Sequence, residues 1–175
     1  MRESDALDKN PYVSRAALAA VHGQLYGWAL SRCDFNNAAA EDLMQQAYVE
    51  LLSGSARFDN KSSLKTFVFS VVQNLARGRY RRAASRLRLV KQYEHLASAE
   101  TIHAEEPERD PSIWNVVQEL PARQRDIIEL VFCRELTIEE AAKVMRVSTG
   151  TGRVHYDRAK KALRSKIATR MEFSE

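Results

Sequence analysis

Apolar residues recur at spacings of three and four along most of the chain, which is the period of an amphipathic α-helix. In residues 11–33 they are Leu18, Val21, Leu25, Trp28 and Ala29, and in residues 37–53 they are Leu43, Ala47 and Leu51. Asn37 is placed to cap the second helix, with Glu41 and Asp42 in its opening turns. Strand-like alternation and internal repeats are absent from the sequence. The pattern therefore predicts an all-α protein.

A third helix is predicted from Ser63, its cap, to about Val90. Its first part is apolar and contains Leu64, Phe67, Val68, Val71, Val72 and Leu75. Its second part is strongly basic. A polar loop, residues 54–62, precedes this helix and holds one aromatic residue, Phe58. A single helix is thus expected to have one end in the core and one end facing an anion.

Residues 97–111 are acidic, and Pro107 and Pro111 discourage a helix there. We therefore expect two small helical domains, residues 1–96 and 112–175, joined by a flexible linker at 97–111. In the second domain Ser112 is predicted to cap a short helix that ends at Leu120. Residues 122–134 are predicted to form another helix.

The strongest local signal follows at residues 136–163. Thr137 and Glu140 form a capping box that opens a short helix, residues 138–145. Residues 146–148 form a turn, a longer basic helix follows, and Ala142 lies where the two helices cross. This order predicts a helix-turn-helix, with a plain helical hairpin as the alternative. Its candidate DNA contacts are Thr149, Thr151, Arg153, His155, Arg158 and Lys161.

Charge and composition narrow the classes of function. The net charge of +4 is concentrated in two basic runs, residues 77–91 and 153–170, which predict two surfaces that bind a polyanion. Cys33 and Cys133 are isolated, so we expect no metal or cofactor, and we expect both thiols to be reduced and buried. The sequence has no nucleophile–base pair and no phosphate-binding glycine loop, so an enzyme is not expected.

The sequence contains no apolar run near the ~18 residues that span a bilayer. The first ten residues are polar and charged, unlike a signal peptide. The protein is therefore expected to be cytoplasmic.

Two blocks of sequence resemble an established family. LPARQRDIIEL at residues 120–130, LTIEEAA at 136–142 and STGT at 148–151 resemble region 4 of extracytoplasmic-function sigma factors. AEDLMQQAYVELL at residues 40–52, LKTF at 64–67 and NLA at 74–76 resemble region 2 of the same factors. Both blocks occur in the family's order, with a plausible linker between them.

The resemblance implies a sigma factor that binds core RNA polymerase and directs it to promoter DNA. The residues implied in contacts with the β′ clamp helices are Asp42, Gln45, Gln46 and Val49. Contacts with the −10 element would come from Phe58, Asn60, Lys61, Asn74, Arg77, Arg81 and Arg82. The helix-turn-helix would read the −35 element, the β flap would be a further contact, and a membrane-bound anti-sigma factor is the implied regulator.

A helix-turn-helix regulator with an N-terminal sensing or dimerisation domain is the alternative. It explains the second domain but not the basic run at residues 77–91. Departures from the family pattern are Arg146 in place of glycine, Gly152 in place of a buried valine, Gly78 in place of aspartate and Phe67 in place of tryptophan. Val154 and Tyr156 are placed to compensate for Gly152.

Overall fold

The computed structural model describes residues 13–93 and 111–172. The chain divides into two compact units between residues 105 and 106. Every regular element in the described ranges is helical, which confirms the all-α prediction. The predicted linker lies outside these ranges, except for Pro111. None of the helices in the described residues has the length and apolar character of a membrane span.

Within residues 13–93, the described part of the first unit, there are three helices: α1 (Arg15–Arg32), α2 (Asn37–Leu52) and α3 (Leu64–Tyr93). Its core consists of side chains from all three, including Leu25, Trp28, Leu43, Leu51, Val68 and Phe69, each fully buried. Trp28 and Phe69 have ring centroids 6.4 Å apart. Among the side chains of α3 described in residues 64–86, the buried ones lie between Thr66 and Gln73, residues 74–79 are half-buried and residues 80–86 are exposed. The helix therefore leaves this core along its length.

The second unit contains α4 (Pro111–Gln118), α5 (Ala122–Ile128), α6 (Ile138–Met145) and α7 (Thr149–Glu172). Its core includes Val116, Ile127, Leu130, Val144, Met145 and Ala159. Lys166 of α7 donates to Glu119, just after α4, at 2.6 Å. The predicted short helix and turn at residues 138–148 are confirmed, and so is the capping box of Thr137 and Glu140.

A π-helical turn, Glu129–Cys133, continues α5. The sequence predicted one regular helix over residues 122–134, which was wrong. Arg134 ends the turn and donates to Glu129 at 2.7 Å, and the two side chains are 6% and 1% exposed. A buried acid and a buried cation thus neutralise each other at the base of the turn.

Two predicted helix N-caps were assigned to the wrong residue. Asn36, not Asn37, caps α2: its backbone is extended and its side chain accepts from Ala39 N–H at 2.9 Å. This places Glu41 beyond the first turn. The short helix α4 begins at Pro111, so Ser112 lies inside the helix rather than before it.

The cysteines also differ from expectation. Cys33 and Cys133 are free thiols, but both are half-buried rather than buried. Cys33 lies at the C-terminal end of α1, where partial burial raises the pKa of its thiol. The thiol form of Cys33 is therefore favoured over the thiolate.

Candidate functional site

The outer face of α2 carries the four residues that the sequence associated with a partner. Asp42, Gln45 and Val49 are exposed, Val49 by 66%, and Gln46 is half-buried. The opposite face holds the buried Leu43 and Ala47. Because residues three and four apart share a helix face, the structure brings the four residues together as one surface. An exposed valine with an acid and two amides at its rim suits contact with another helix.

The loop between α2 and α3 is fixed at several points. The Phe58 ring packs against Phe67 of α3, with centroids 5.0 Å apart. Asn60 has φ 57°, a left-handed conformation that asparagine adopts more readily than most residues. Ser63 caps α3 as predicted, accepting from Thr66 N–H at 3.2 Å. These contacts fix the backbone of the loop, and so its polar residues have defined positions.

Lys61 and Asp59 form an exposed ion pair in this loop, with Nζ and Oδ2 2.8 Å apart. The side-chain hydrogen bond raises the pKa of Lys61 and lowers the pKa of Asp59. Because both side chains are exposed, the pair contributes little to stability and can open to a ligand.

The basic part of α3 divides into internal and external residues. Arg79 donates to the Ala39 carbonyl at 3.0 Å and so ties α3 to the start of α2. Arg81 and Arg82 are exposed, whereas Asn74 and Arg77 are half-buried. Spacing puts Asn74, Arg77 and Arg81 on one face, while Arg82 lies about a quarter turn away, beside Gly78. The structure thus brings three of the four predicted α3 residues together.

The turn between α6 and α7 contains a strained residue. Arg146 has φ 56° and ψ 48°, the left-handed conformation that glycine adopts most easily. Val147 N–H donates to the Ala142 carbonyl at 3.0 Å, which closes α6 in a Schellman arrangement. Ser148 Oγ then accepts from Thr151 N–H at 3.1 Å and caps α7. The turn thus has the left-handed geometry that usually takes glycine, with arginine in that position.

Gly152 lies at the crossing of α6 and α7. A Cβ added to it would lie 2.9 Å from the Ala142 Cβ, closer than side chains pack. Val154 is 46% exposed, so it does not take the place of a buried valine at position 152. Tyr156 is half-buried and stacks on Phe132, with centroids 6.1 Å apart. The two helices therefore meet directly through their smallest residues.

The predicted contacts on α7 straddle its solvent face. Thr149 and Arg153 lie along one edge, and the other edge is formed by Thr151, His155 and Arg158. Lys161 lies between the edges. Arg153, Arg158 and Lys161 are exposed, and His155 is half-buried. The capped start of α7 thus presents hydroxyl and guanidinium groups around one end, as a helix that enters a DNA groove does.

Comparison with known families matches both units. Residues 18–86 match Sigma-70 region 2, and residues 116–165 match Sigma-70, region 4. The chain belongs to the sigma-70 family. Sigma factors bind core RNA polymerase and direct transcription initiation at specific promoters, and they are not themselves catalysts.

Similar proteins identify the type of sigma factor. The ECF RNA polymerase sigma factor SigC of Mycobacterium tuberculosis is 27% identical over 127 residues, covering 71% of this chain and 68% of SigC. SigX of Bacillus subtilis, also an ECF sigma factor, is 27% identical over 134 residues, with the same shares covered. The solved structure of the sigma factor RpoE with the anti-sigma factor NepR, from Bartonella quintana, has a TM-score of 0.64. It is 24% identical and covers 88% of this chain and 96% of that chain. The curated relatives that this chain resembles are therefore ECF sigma factors.

The site of this sigma factor includes residues that sequence reasoning missed. Phe67 was assigned to the apolar part of α3 and was not a candidate site residue, yet its ring supports Phe58. Val154 was not a candidate contact either, but it lies on the solvent face of α7. The buried Gly152 two residues earlier was the available signal, because the two positions point in different directions on a helix.

Proposed function

We propose that this sigma factor divides three binding tasks among separate surfaces. The outer face of α2 binds the β′ clamp helices of core RNA polymerase. The loop before α3, together with the exposed face of α3, binds the −10 element, and α7 reads the −35 element in duplex DNA. The second unit also contacts the β flap. In this proposal the protein works in the cytoplasm and has no catalytic activity of its own.

The polymerase surface is supported mainly by Val49. A valine that is 66% exposed lies in the middle of a polar face, while the other side of α2 is packed. Burying this side chain against a partner helix would remove apolar surface from water. The neighbouring carboxylate and amides can then pair with polar groups at the rim.

The two DNA surfaces differ in what surrounds them. On α7, hydroxyl and guanidinium groups surround a capped helix start, which suits base edges in the major groove. Near α3, a phenylalanine supported by a second ring lies in a loop that precedes exposed arginines. Aromatic rings and cations suit unpaired bases and their phosphates. The proposal therefore gives duplex reading to the second unit and strand capture to the first.

Regulation by an anti-sigma factor is the remaining part of the proposal. It is supported by the fold shared with RpoE, which was solved in complex with the anti-sigma factor NepR. We further propose that the anti-sigma factor of this protein is membrane-bound. Such a partner would cover the outer face of α2 and so exclude the polymerase.

We expect Asp42→Arg to weaken binding to core RNA polymerase at least tenfold, roughly 1.4 kcal/mol. Reversing a charge at an interface adds repulsion and leaves the partner's polar group unpaired. The measurement is the affinity of a fluorescently labelled sigma factor for core polymerase, with helicity checked by circular dichroism.

Asp157→Arg is the matched control for this substitution. It makes the same exchange of Asp for Arg at an exposed residue of α7, on the face proposed to bind DNA rather than polymerase. Its affinity for polymerase should equal that of the wild type. Equal affinity of the Asp42→Arg variant would remove the α2 face from the polymerase interface.

The division between the DNA surfaces predicts two different defects. Arg153→Ala should cost roughly 1–3 kcal/mol of promoter binding, and the loss should depend on the −35 sequence. The double variant Arg81→Ala, Arg82→Ala should keep −35 protection but open the promoter poorly, with a weaker salt dependence because phosphate contacts are lost. Footprinting and permanganate reactivity of each holoenzyme measure the two effects. Equal loss of −35 protection in both variants, with normal opening, would contradict the division.

A further inference from the structure

The solvent face of α7 has an apolar centre that none of the proposed contacts uses. Val154 is 46% exposed, and Gly150 lies one turn before it on the same face. The opposite face of α7 is the packed one, with Gly152 and Ala159 buried. Most of the polar residues proposed to bind the −35 element lie on either side of this centre. Farther along the same face are the exposed Asp157 and Lys161, of which Lys161 is itself a proposed contact.

The fold does not need a glycine at position 150. A Cβ there would meet only Ser148 Oγ, at 3.9 Å, and φ is not positive. Gly152 is the contrast, because a Cβ there would collide with Ala142. Glycine is a poor helix former compared with alanine. Because position 150 lacks a side chain that the fold could accommodate, there is an opening on the N-terminal side of Val154. It lies at the end of α7 that is proposed to face DNA.

An apolar side chain can recognise only one group in the major groove. Every base edge there offers hydrogen-bond donors or acceptors, except for the 5-methyl group of thymine. Valine has no hydrogen-bonding atom, and Gly150 adds no side chain that would keep a methyl group away. The flanking Arg153 can meanwhile bond to a neighbouring base or phosphate.

We propose that Val154, with the opening at Gly150, receives the 5-methyl group of a thymine in the −35 element. Val154 is then a specificity-determining residue, and the preferred element contains a thymine at one fixed position. This inference rests on the proposed role of α7 in −35 recognition.

The test removes the thymine methyl group from the DNA and, in a separate variant, the valine side chain at position 154 from the protein. A promoter is selected from random DNA by the wild-type holoenzyme, and each thymine of its −35 element, on either strand, is replaced by deoxyuridine. At one position the wild-type affinity for the promoter should fall about fourfold, because the complex no longer buries one methyl group. The Val154→Ser holoenzyme should bind both DNAs equally at that position.

Gly150→Ala provides a second variant, with Gly23→Ala as its control. Nothing lies within 4 Å of a Cβ added to Gly23 in α1, so both substitutions should favour helix without a clash. Only Gly150→Ala should reduce the preference for thymine over deoxyuridine, because its methyl group occupies the opening. A loss of affinity without a loss of folding stability would locate the effect at the DNA.

The inference is overturned if no deoxyuridine substitution weakens the wild-type holoenzyme. It is also overturned if the Val154→Ser holoenzyme discriminates as the wild type does, or loses polymerase binding instead. The Arg153→Ala holoenzyme distinguishes a wrong role for Val154 from a wrong role for α7 as a whole. If that variant loses −35 protection while deoxyuridine has no effect, α7 still reads the element and only the role of Val154 is wrong.

Discussion

Replacing Arg134 by alanine is expected to lower the free energy of unfolding of the second unit by about 3–5 kcal/mol. Arg134 and Glu129 are joined at 2.7 Å, and their side chains are almost completely buried. Removing the cation takes its ion pair away from a carboxylate that is 1% exposed. The cost is therefore that of breaking a buried ion pair, which exceeds the value of most surface ion pairs.

The control for this prediction is the double variant Glu129→Leu, Arg134→Met, which fills similar space without charge. Replacing both members of a buried pair is often neutral or stabilising, so this variant should unfold near the wild-type denaturant concentration. Urea unfolding measures both, and hydrogen exchange over residues 120–145 locates the change. A loss below about 1 kcal/mol in the Arg134→Ala variant would mean that the pair behaves as a solvated one.

Gly152→Val should destabilise the second unit by about 3 kcal/mol and disturb −35 binding. The added Cβ alone would approach the Ala142 Cβ to 2.9 Å, so α6 and α7 must separate or tilt. Either movement changes how α7 is held against the rest of the helix-turn-helix. The measurements are the urea midpoint and the −35 footprint of the variant holoenzyme.

The reciprocal exchange Ala142→Gly, Gly152→Ala tests the same contact without adding volume. Gly152→Ala alone should be destabilising, and the exchange should recover much of the loss because the clashing methyl group is removed from α6. A negative coupling energy in this double-mutant cycle is expected for residues in contact. If the two substitutions were simply additive, the crossing would be looser than the structure has it.

Local signals in the sequence predicted much of the helix framework. The Thr137–Glu140 capping box and the Ser63 cap each depend on side chains within three residues of the backbone groups that they bind. The sequence could not choose between Asn36 and Asn37, because both are good caps and the choice depends on which backbone is extended. The π-helical turn was also not predictable, since each of its hydrogen bonds spans only one residue more than those of the α-helix before it.

The sequence predicted the grouping of the site residues on α2 better than the orientation of those on α7. On α2, the helical period was sufficient to group Asp42, Gln45 and Val49, and the structure places them on one exposed face. On α7, the position of Val154 depends on which residues face α6. That orientation is set by the contact of Gly152 with Ala142, which joins two helices and is absent from any local pattern. What each surface binds came from the resemblance, because exposure and charge name no partner.

The continuity of α3 limits the length of DNA that it can cover. Asn74 and Arg81 lie on one face, seven residues apart, so they are separated by about 10 Å along the axis at 1.5 Å per residue. Successive phosphates of one DNA strand are at least about 3.4 Å apart, which is their spacing along a duplex. These two side chains therefore span at most about three nucleotides. If α3 binds the −10 element as proposed, the loop that carries Phe58 would have to reach any further positions, and the length of that loop would then limit the length of the element.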